Sequence, residues 1–163
     1  MIVLVRFGLA AILVASAACR QPLPHARPSI DALVEDVLTA LEHRDAARLR
    51  HLAVSEIEFR EAIWPELPAA RPERNLTAAY VWGDQHTRSE AGLQSAIADY
   101  GGKTLNLVRL EFRGETTQHR TFLVRRDPAV VVRGTDAQEQ TLRLFGSIVE
   151  HDGGFKIFSY NVD

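Results

Sequence analysis

Residues 29–41 read SIDALVEDVLTAL, and this stretch is the clearest helix in the sequence. Its apolar side chains recur every three or four residues, which places them on one stripe of an α-helix. They are Ile30, Leu33, Val34, Val37, Leu38 and Leu41. Ser29 is the expected N-cap, because a serine hydroxyl accepts a hydrogen bond from a free backbone N–H of the first turn. One face of this helix is therefore expected to cover a core.

Two shorter helical segments are expected after it. Asp45 is placed to cap a short turn that carries Leu49 and Leu52. Ser55 and Glu58, three residues apart, match a capping box, in which each side chain bonds the other residue's backbone N–H. This second helix is expected to run through about residue 64, where a proline follows.

A proline-rich loop at residues 65–72 precedes the last helical region. Asn75 is the expected cap of this region, and Gly101-Gly102 is expected to end it. The helical period weakens between Gly83 and Thr87. The region is therefore either two helices, the second starting at Thr87, or one long helix bent near Gly83.

After residue 102 the apolar period changes to two, which is typical of strands. The Asp152-Gly153 pair favours a tight hairpin. The expected strands are 105–112, 120–126, 129–133, 140–150 and 154–162. Their short connections predict an antiparallel meander. Together, the segments predict an α+β fold, with N-terminal helices packed on a curved antiparallel sheet of four to five strands.

The two faces of this sheet are expected to differ. The face under the helices would carry Val108, Leu110, Phe112, Phe122, Val124, Leu142, Leu144, Ile148, Phe158 and Tyr160. The outer face would carry Arg109, Glu111, Arg125 and Arg143, which are expected to form cross-strand ion pairs. The alternative for these arginines is a surface that docks a partner protein, since arginine recurs at interfaces.

The N-terminus is typical of an export signal. Arg6 precedes an apolar run at residues 7–18, which is too short to span a bilayer but suits a signal peptide. The run ends in ASAAC at residues 15–19, which resembles a bacterial lipobox, with Ser16 where lipoboxes usually carry leucine. The resemblance implies cleavage before Cys19 and lipid attachment, including palmitate, to this only cysteine. Ordinary cleavage beside Ala18 and an uncleaved anchor are the alternatives.

These features divide the chain into three parts. Residues 1–18 are expected to be the signal peptide, 19–28 a lipidated cysteine with a proline-rich tether, and 29–163 a single domain. All the alternatives export the domain to the cell envelope, into the periplasm or outside the cell. The residue after Cys19 is Arg20 and not an aspartate, which would resemble an inner-membrane retention signal. The outer membrane is therefore expected in a Gram-negative cell.

The charge of the sequence limits the classes of partner that are expected. The formal net charge is -2 and acidic and basic residues are interspersed, which argues against a nucleic-acid partner. The expected partners are the membrane, through the lipid anchor, and a hydrophobic small molecule or an envelope protein. Self-association into a homodimer stays open.

The opening helix ends in HRD at residues 43–45 before AARL at 46–49, and the closing hairpin reads EHDGGFKI at 150–157. Together with the order of the elements, these stretches resemble the nuclear transport factor 2-like superfamily, which includes the ketosteroid isomerases. The resemblance implies a cone-shaped domain whose sheet wraps a pocket roofed by helices. Members include enzymes, binding modules and lipid-anchored proteins. They often have a strand between the second and third helices, where this chain has a loop at residues 65–74.

Metal and nucleophile motifs are missing from the sequence. The histidines form no HExxH or HxH pattern, and no serine stands in a GxSxG motif, so neither a metal, nor a cofactor, nor a catalytic nucleophile is expected. The histidines are His25, His43, His51, His86, His119 and His151.

The stretch YVWGDQH at residues 80–86 combines aromatic and titratable groups. In a buried pocket, Asp84 or His86 could act as a general base. The competing interpretation is a helix kink with both side chains in solvent. The residues expected near a pocket are Trp64, Tyr80, Trp82 and Tyr160.

Two functions follow from these patterns. The leading hypothesis is a membrane-tethered, non-enzymatic module that binds a ligand or a protein. The alternative is a small periplasmic enzyme of the isomerase or dehydratase type, with Asp84 or His86 as its acid/base residue.

Overall fold

The computed structural model of the chain describes residues 22–162, which form an α+β fold. The predicted signal peptide and Cys19 lie outside the described residues. Helix α1 spans Ile30–Glu42, and the Ser29 side chain accepts a hydrogen bond from the Ala32 N–H at 3.1 Å. The predicted helix and its cap are confirmed. The buried residues of α1 are Leu33, Val34, Val37, Leu38, Ala40 and Leu41.

The next two predicted caps are also confirmed. Helix α2 spans Ala46–Leu52 and is capped by Asp45. Helix α3 spans Glu56–Glu58, and the Ser55–Glu58 capping box is complete. The chain continues from α3 as a π-helical turn and a 3₁₀ turn, and two further 3₁₀ turns fill the predicted loop. These four segments are Phe59–Ile63, Trp64–Glu66, Pro68–Ala70 and Pro72–Arg74.

Helix α4 spans Ala78–Tyr100 without a break at Gly83, so it is a single helix. Two of the expected helix starts, at Asn75 and at Thr87, are wrong. Asn75 has a φ of 49° and ends a 3₁₀ turn, while the Thr77 side chain caps α4 by accepting from the Tyr80 N–H. The Thr87 hydroxyl donates to the Gly83 carbonyl within the helix, at 2.8 Å, and starts no new helix.

Within residues 22–162, seven strands form two antiparallel sheets. They are β1 Asn106–Phe112, β2 Thr116–Gln118, β3 Phe122–Arg126, β4 Pro128–Arg133, β5 Glu139–Leu142, β6 Ser147–His151 and β7 Gly154–Ser159. One sheet has the order β1-β4-β5 and the other β2-β3-β6-β7. The α+β class is confirmed, whereas the single meander of four to five strands is wrong.

The departure from a meander begins at Asp127, whose φ of 50° turns the chain between β3 and β4. Strand β4 then pairs with β1, and β3 pairs with β6. The predicted strand at 140–150 is two strands, because the chain passes from one sheet to the other at residues 143–146. The Asp152-Gly153 hairpin is confirmed, with both residues at positive φ.

The sheet faces are largely as expected, with one exception. A register irregularity between Leu107 and Arg109 leaves Val108 exposed, not buried under the helices. Ion pairs do form on the outer strands, mostly with carboxylates that the sequence pattern did not select. They join Arg109 to Glu111 and Glu139, Arg125 to Glu150, and Arg143 to Asp127.

The segment before α1 belongs to the domain. Leu23 is buried, and Arg27 exchanges two backbone hydrogen bonds of 2.9 Å with Phe155 on β7. The predicted tether boundary at residue 28 is therefore too late, since the chain joins the core from Leu23 onward. None of the helices in residues 22–162 is both long enough and apolar enough to cross a bilayer.

Candidate ligand-binding cavity

A cavity of about 380 Å³ lies between the end of α2, the segment after it, α4 and the end of β7. We call it the α2–α4 cavity. Its volume falls within the range of roughly 300–1,000 Å³ that is typical of small-molecule sites. Its lining residues are Arg50, Ala53, Val54, Ser55, Glu56, Trp82, Gln85, His86, Ser89, Glu90, Leu93, Phe158 and Tyr160.

Helical geometry explains the α4 contribution. Trp82, Gln85, His86, Ser89 and Leu93 follow one another at intervals of three, one, three and four residues, so they share one face of the helix. The opposite wall comes from residues 50–56. Because α4 and this wall are joined only through tertiary packing, the cavity is a product of the whole fold.

The inner end of the cavity is formed by buried side chains, and the polar groups of Tyr160 there already have hydrogen-bond partners. Tyr160 is 1% exposed, and its hydroxyl donates to the Leu49 carbonyl at 2.8 Å. Its backbone N–H donates to the Ser89 hydroxyl oxygen at 2.9 Å. Burial raises the pKa of Tyr160, so the phenol stays protonated. With these polar groups already bonded, Tyr160 and Leu93 offer mainly apolar surface to an occupant.

One side of the cavity is an aromatic stack. The Trp82 ring lies 5.4 Å from the Phe59 ring and 5.3 Å from the His86 ring, with the imidazole nearly parallel to the indole. Such offset arrangements stabilise aromatic pairs by roughly 0.5–1.5 kcal/mol beyond area burial. The stack holds His86 against the wall of the cavity.

The polar rim is built around Arg50 and Glu90. Their side chains form a two-pronged ion pair, in which Arg50 Nε donates to Glu90 Oε2 at 3.0 Å and a second guanidinium nitrogen bonds Oε1. Gln94 donates to the same carboxylate at 2.9 Å. The hydrogen bond from Arg50, opposed by partial burial, lowers the pKa of Glu90 from 4.5 to about 2. At neutral pH the Arg50–Glu90 pair therefore places one positive and one negative charge at the rim, and these two charges offset each other.

The structure brings only some of the predicted site residues together. Trp82, His86 and Tyr160 line the cavity. Trp64 packs in a neighbouring core cluster, 6.1 Å from the Phe59 ring, and Tyr80 is 68% exposed. Trp64 and Tyr80 are therefore wrong as lining residues of this cavity.

Asp84 also lies outside the cavity. Its carboxylate is exposed and pairs with Arg88, one turn along the helix. Asp84 is two positions along the sequence from both Trp82 and His86, which puts it about 200° around the helix from each of them. The hypothesis that Asp84 is a general base in the pocket is therefore wrong.

Sequence reasoning missed the polar rim. Arg50 and Glu90 are 40 residues apart in the chain, so no local pattern pairs them. The helical face of α4 could have been found by extending the three- and four-residue spacing from Trp82 to Leu93. Within residues 22–162, no three metal-ligating side chains cluster.

Comparison with known proteins adds no relative: no protein-family model, no curated protein and no solved structure matches the chain.

Proposed function

We propose that the protein is an exported lipoprotein, acylated at Cys19, whose domain binds a small amphipathic molecule in the α2–α4 cavity without chemical change. The observation that carries the binding function is the combination of an apolar inner end with a polar rim in one cavity of about 380 Å³. The lipobox-like ASAAC at residues 15–19 supports the anchor. Two or more acyl chains hold a protein stably at a membrane. In a Gram-negative cell, this would be the outer membrane.

The charges at the rim indicate the kind of ligand. Arg50 is already held by Glu90, so the cavity has no uncompensated cation for an anionic head group. Gln85 donates to the Phe158 carbonyl at 2.9 Å and is likewise engaged. An uncharged polar group, such as a hydroxyl or an amide, can bond the remaining lone pairs and N–H groups without breaking the ion pair. The apolar part of the ligand would lie against Trp82 and Leu93.

Tryptophan fluorescence offers a direct test. The chain has two tryptophans, and of these Trp82 lines the cavity. In a Trp64→Phe variant all tryptophan emission comes from Trp82. Titration with a neutral medium-chain alcohol or monoacylglycerol should shift or quench this emission with saturation.

The matched control uses two alanines of the same region. Ala53→Phe places a large side chain in the lining of the cavity and should abolish the response, whereas Ala47→Phe adds the same group at an exposed position of α2. Equal responses from both variants would exclude this cavity as the binding site. Native mass spectrometry of the protein extracted from its own membrane should show acylation and a co-purifying ligand. The same measurement reports a homodimer or an envelope-protein partner.

A second candidate function, an isomerase or dehydratase, is favoured by the position of His86 in the cavity lining. A general base that removes and returns a carbon-bound proton exchanges that proton with solvent. Incubating the protein with its co-purified ligand in D₂O should then place deuterium on carbon, and His86→Gln should stop the exchange. We expect no exchange, in agreement with a binding function.

We also propose that the domain belongs to the nuclear transport factor 2-like superfamily that its element order resembles. That resemblance implies a pocket that the sheet wraps and that helices roof. Helix α4 forms one wall of the α2–α4 cavity, whereas only Phe158 and Tyr160 border it from the end of the sheet. The proposed assignment therefore rests on the order of the elements.

A further inference from the structure

The point where the chain enters the domain is held in place by buried contacts. Lys156 on β7 is 2% exposed, and its Nζ donates to the Pro24 carbonyl at 2.9 Å. Leu23 is buried in the core beside it, and Arg27 pairs with Phe155 as if it were a short extra strand. The described part of the chain is therefore fixed to the domain at Leu23 and Pro24, on one defined part of the surface, which we call the exit point.

This exit point limits how far the domain can stand from its anchor. Five peptide units separate Cys19 from Pro24, and they span about 18 Å at full extension. A compact domain the size of residues 22–162 is roughly 37 Å across. With Cys19 acylated at the bilayer surface, the surface around Pro24 lies within about 18 Å of the membrane, and the opposite side of the domain cannot reach it.

A second cavity, of about 340 Å³, lies at this exit point. Pro24, His25, His51, Ala53 and Ile57 are among its lining residues. The His25 and His51 rings are stacked at 5.6 Å, and Ile57 is 68% exposed, which makes it one of the two most exposed large apolar side chains in the described part of the chain.

We propose that this surface, centred on Ile57 and Pro24, rests on the lipid bilayer, with the Ile57 side chain inserted among the acyl chains. The inference rests on the proposed acylation of Cys19. Because the chain between Cys19 and Pro24 is short, we take the lipid bilayer to be what covers this surface. The surface adjoins the α2–α4 cavity, since Arg50, Ala53 and Ser55 line both cavities. The binding cavity therefore lies close to the lipid from which an amphipathic ligand would come.

Site-directed labelling tests this orientation. Cys19 is the only cysteine, and acylation blocks its thiol, so a single introduced cysteine can be labelled selectively. Ile57→Cys places a fluorophore on the proposed surface. Tyr80→Cys is the matched control, because Tyr80 is equally exposed at 68% and lines neither cavity. The full chain is expressed with its export signal, checked by intact mass, and reconstituted in vesicles of phosphatidylethanolamine and phosphatidylglycerol.

The readout is quenching by lipids that carry a nitroxide on the acyl chain. We expect several-fold stronger quenching at position 57 than at position 80, together with several-fold weaker quenching by aqueous iodide. An acylated mass with equal lipid quenching at both positions overturns the orientation but leaves the anchor in place. Shielding from iodide without lipid quenching means that a protein, such as a second copy, covers Ile57, and it also overturns the inference. An unacylated mass overturns the anchor and the orientation together.

Discussion

Removing one partner of the buried Lys156–Glu58 ion pair should destabilise the domain more than removing both. Lys156 Nζ lies 2.8 Å from each carboxylate oxygen of Glu58 and 2.9 Å from the Pro24 carbonyl, so its three N–H groups all have acceptors. Glu58 Oε2 also accepts from the Ser55 N–H at 2.6 Å, within the capping box. Glu58 is 7% exposed and Lys156 is 2% exposed, which makes an unpaired charge at either position costly.

Glu58→Gln isolates the charge from the cap, because glutamine also serves at this position of a capping box. It leaves the Lys156 ammonium buried beside a neutral amide, and we expect a loss of about 3 kcal/mol in the free energy of unfolding at pH 7. Lys156→Met should cost about the same. The double variant should lie within about 1–2 kcal/mol of the native protein, because neither charge remains.

The pH dependence of Glu58→Gln gives an independent check. Burial already lowers the pKa of Lys156 below its usual 10.5, against its hydrogen bonds to Glu58, which raise it. Without the carboxylate the pKa falls further, so between this lowered pKa and about 10.5 the unfolded chain binds more protons than the folded domain. Stability of the variant should therefore rise with pH relative to the native protein.

Urea denaturation of residues 20–163, followed by circular dichroism, measures these differences. The slope of the unfolding free energy against urea should be the same in all four proteins, because the surface exposed on unfolding is unchanged. A loss below about 1 kcal/mol in Glu58→Gln, or a double variant whose loss equals the sum of the single losses, would contradict the argument.

Two further predictions concern α4. Gly83→Ala should stabilise the domain by up to about 1 kcal/mol, because a Cβ there meets no atom within 4 Å and alanine is the better helix former. Gly92→Ala should destabilise it by at least about 2 kcal/mol, because its Cβ would lie 2.2 Å from the Tyr160 carbonyl oxygen. Thermal unfolding of both variants measures these two effects. Equal effects would argue against the close packing of α4 on the chain after β7. Glu90→Gln should cost about 1 kcal/mol at pH 7, since the Glu90 side chain is 30% exposed and solvent weakens its pair with Arg50. The pKa of Glu90 is lowered to about 2, so the native protein should lose this contribution as the pH falls from about 4.5 to about 2. When the free energy of unfolding is measured against pH, Glu90→Gln should lose less stability over this pH range than the native protein does. An equal loss in both proteins would exclude a contribution from the Arg50–Glu90 pair.

The features that could be predicted from the sequence are those that neighbouring residues determine. Ser29, Asp45 and the Ser55–Glu58 pair each bond a backbone group within three residues, so their patterns identify the helix starts. The Asp152-Gly153 hairpin is local in the same way.

The features that could not be predicted depend on contacts between distant segments. Helix α4 runs through Gly83 without a break, and at Gly92 it packs closely on Tyr160, 68 residues later. The exchange of partners between the two sheets follows from the backbone conformation of Asp127, and a non-glycine residue at positive φ is hard to foresee.

The candidate cavity shows the same division. Trp82, His86 and Tyr160 were selected as aromatic or titratable groups near an expected pocket, and they do line it. Tyr80 and Asp84 belong to the same short stretch but point elsewhere, because a helix turns 100° per residue. The Arg50–Glu90 pair that closes the rim joins two helices and has no signature in either of them.

Strand β7 imposes an order on the folding of the chain. It is the last strand of the described residues, yet Val54 donates to the Ile157 carbonyl, Arg27 pairs with Phe155 and Lys156 neutralises Glu58. These three partners lie between residues 27 and 58. Residues 27–58 therefore cannot reach their final state until β7 has been synthesised and, in an exported protein, has crossed the membrane. A chain that stops before residue 154 leaves Glu58 without its cation and the N-terminal segment without a strand to join, so the domain is completed in one late step.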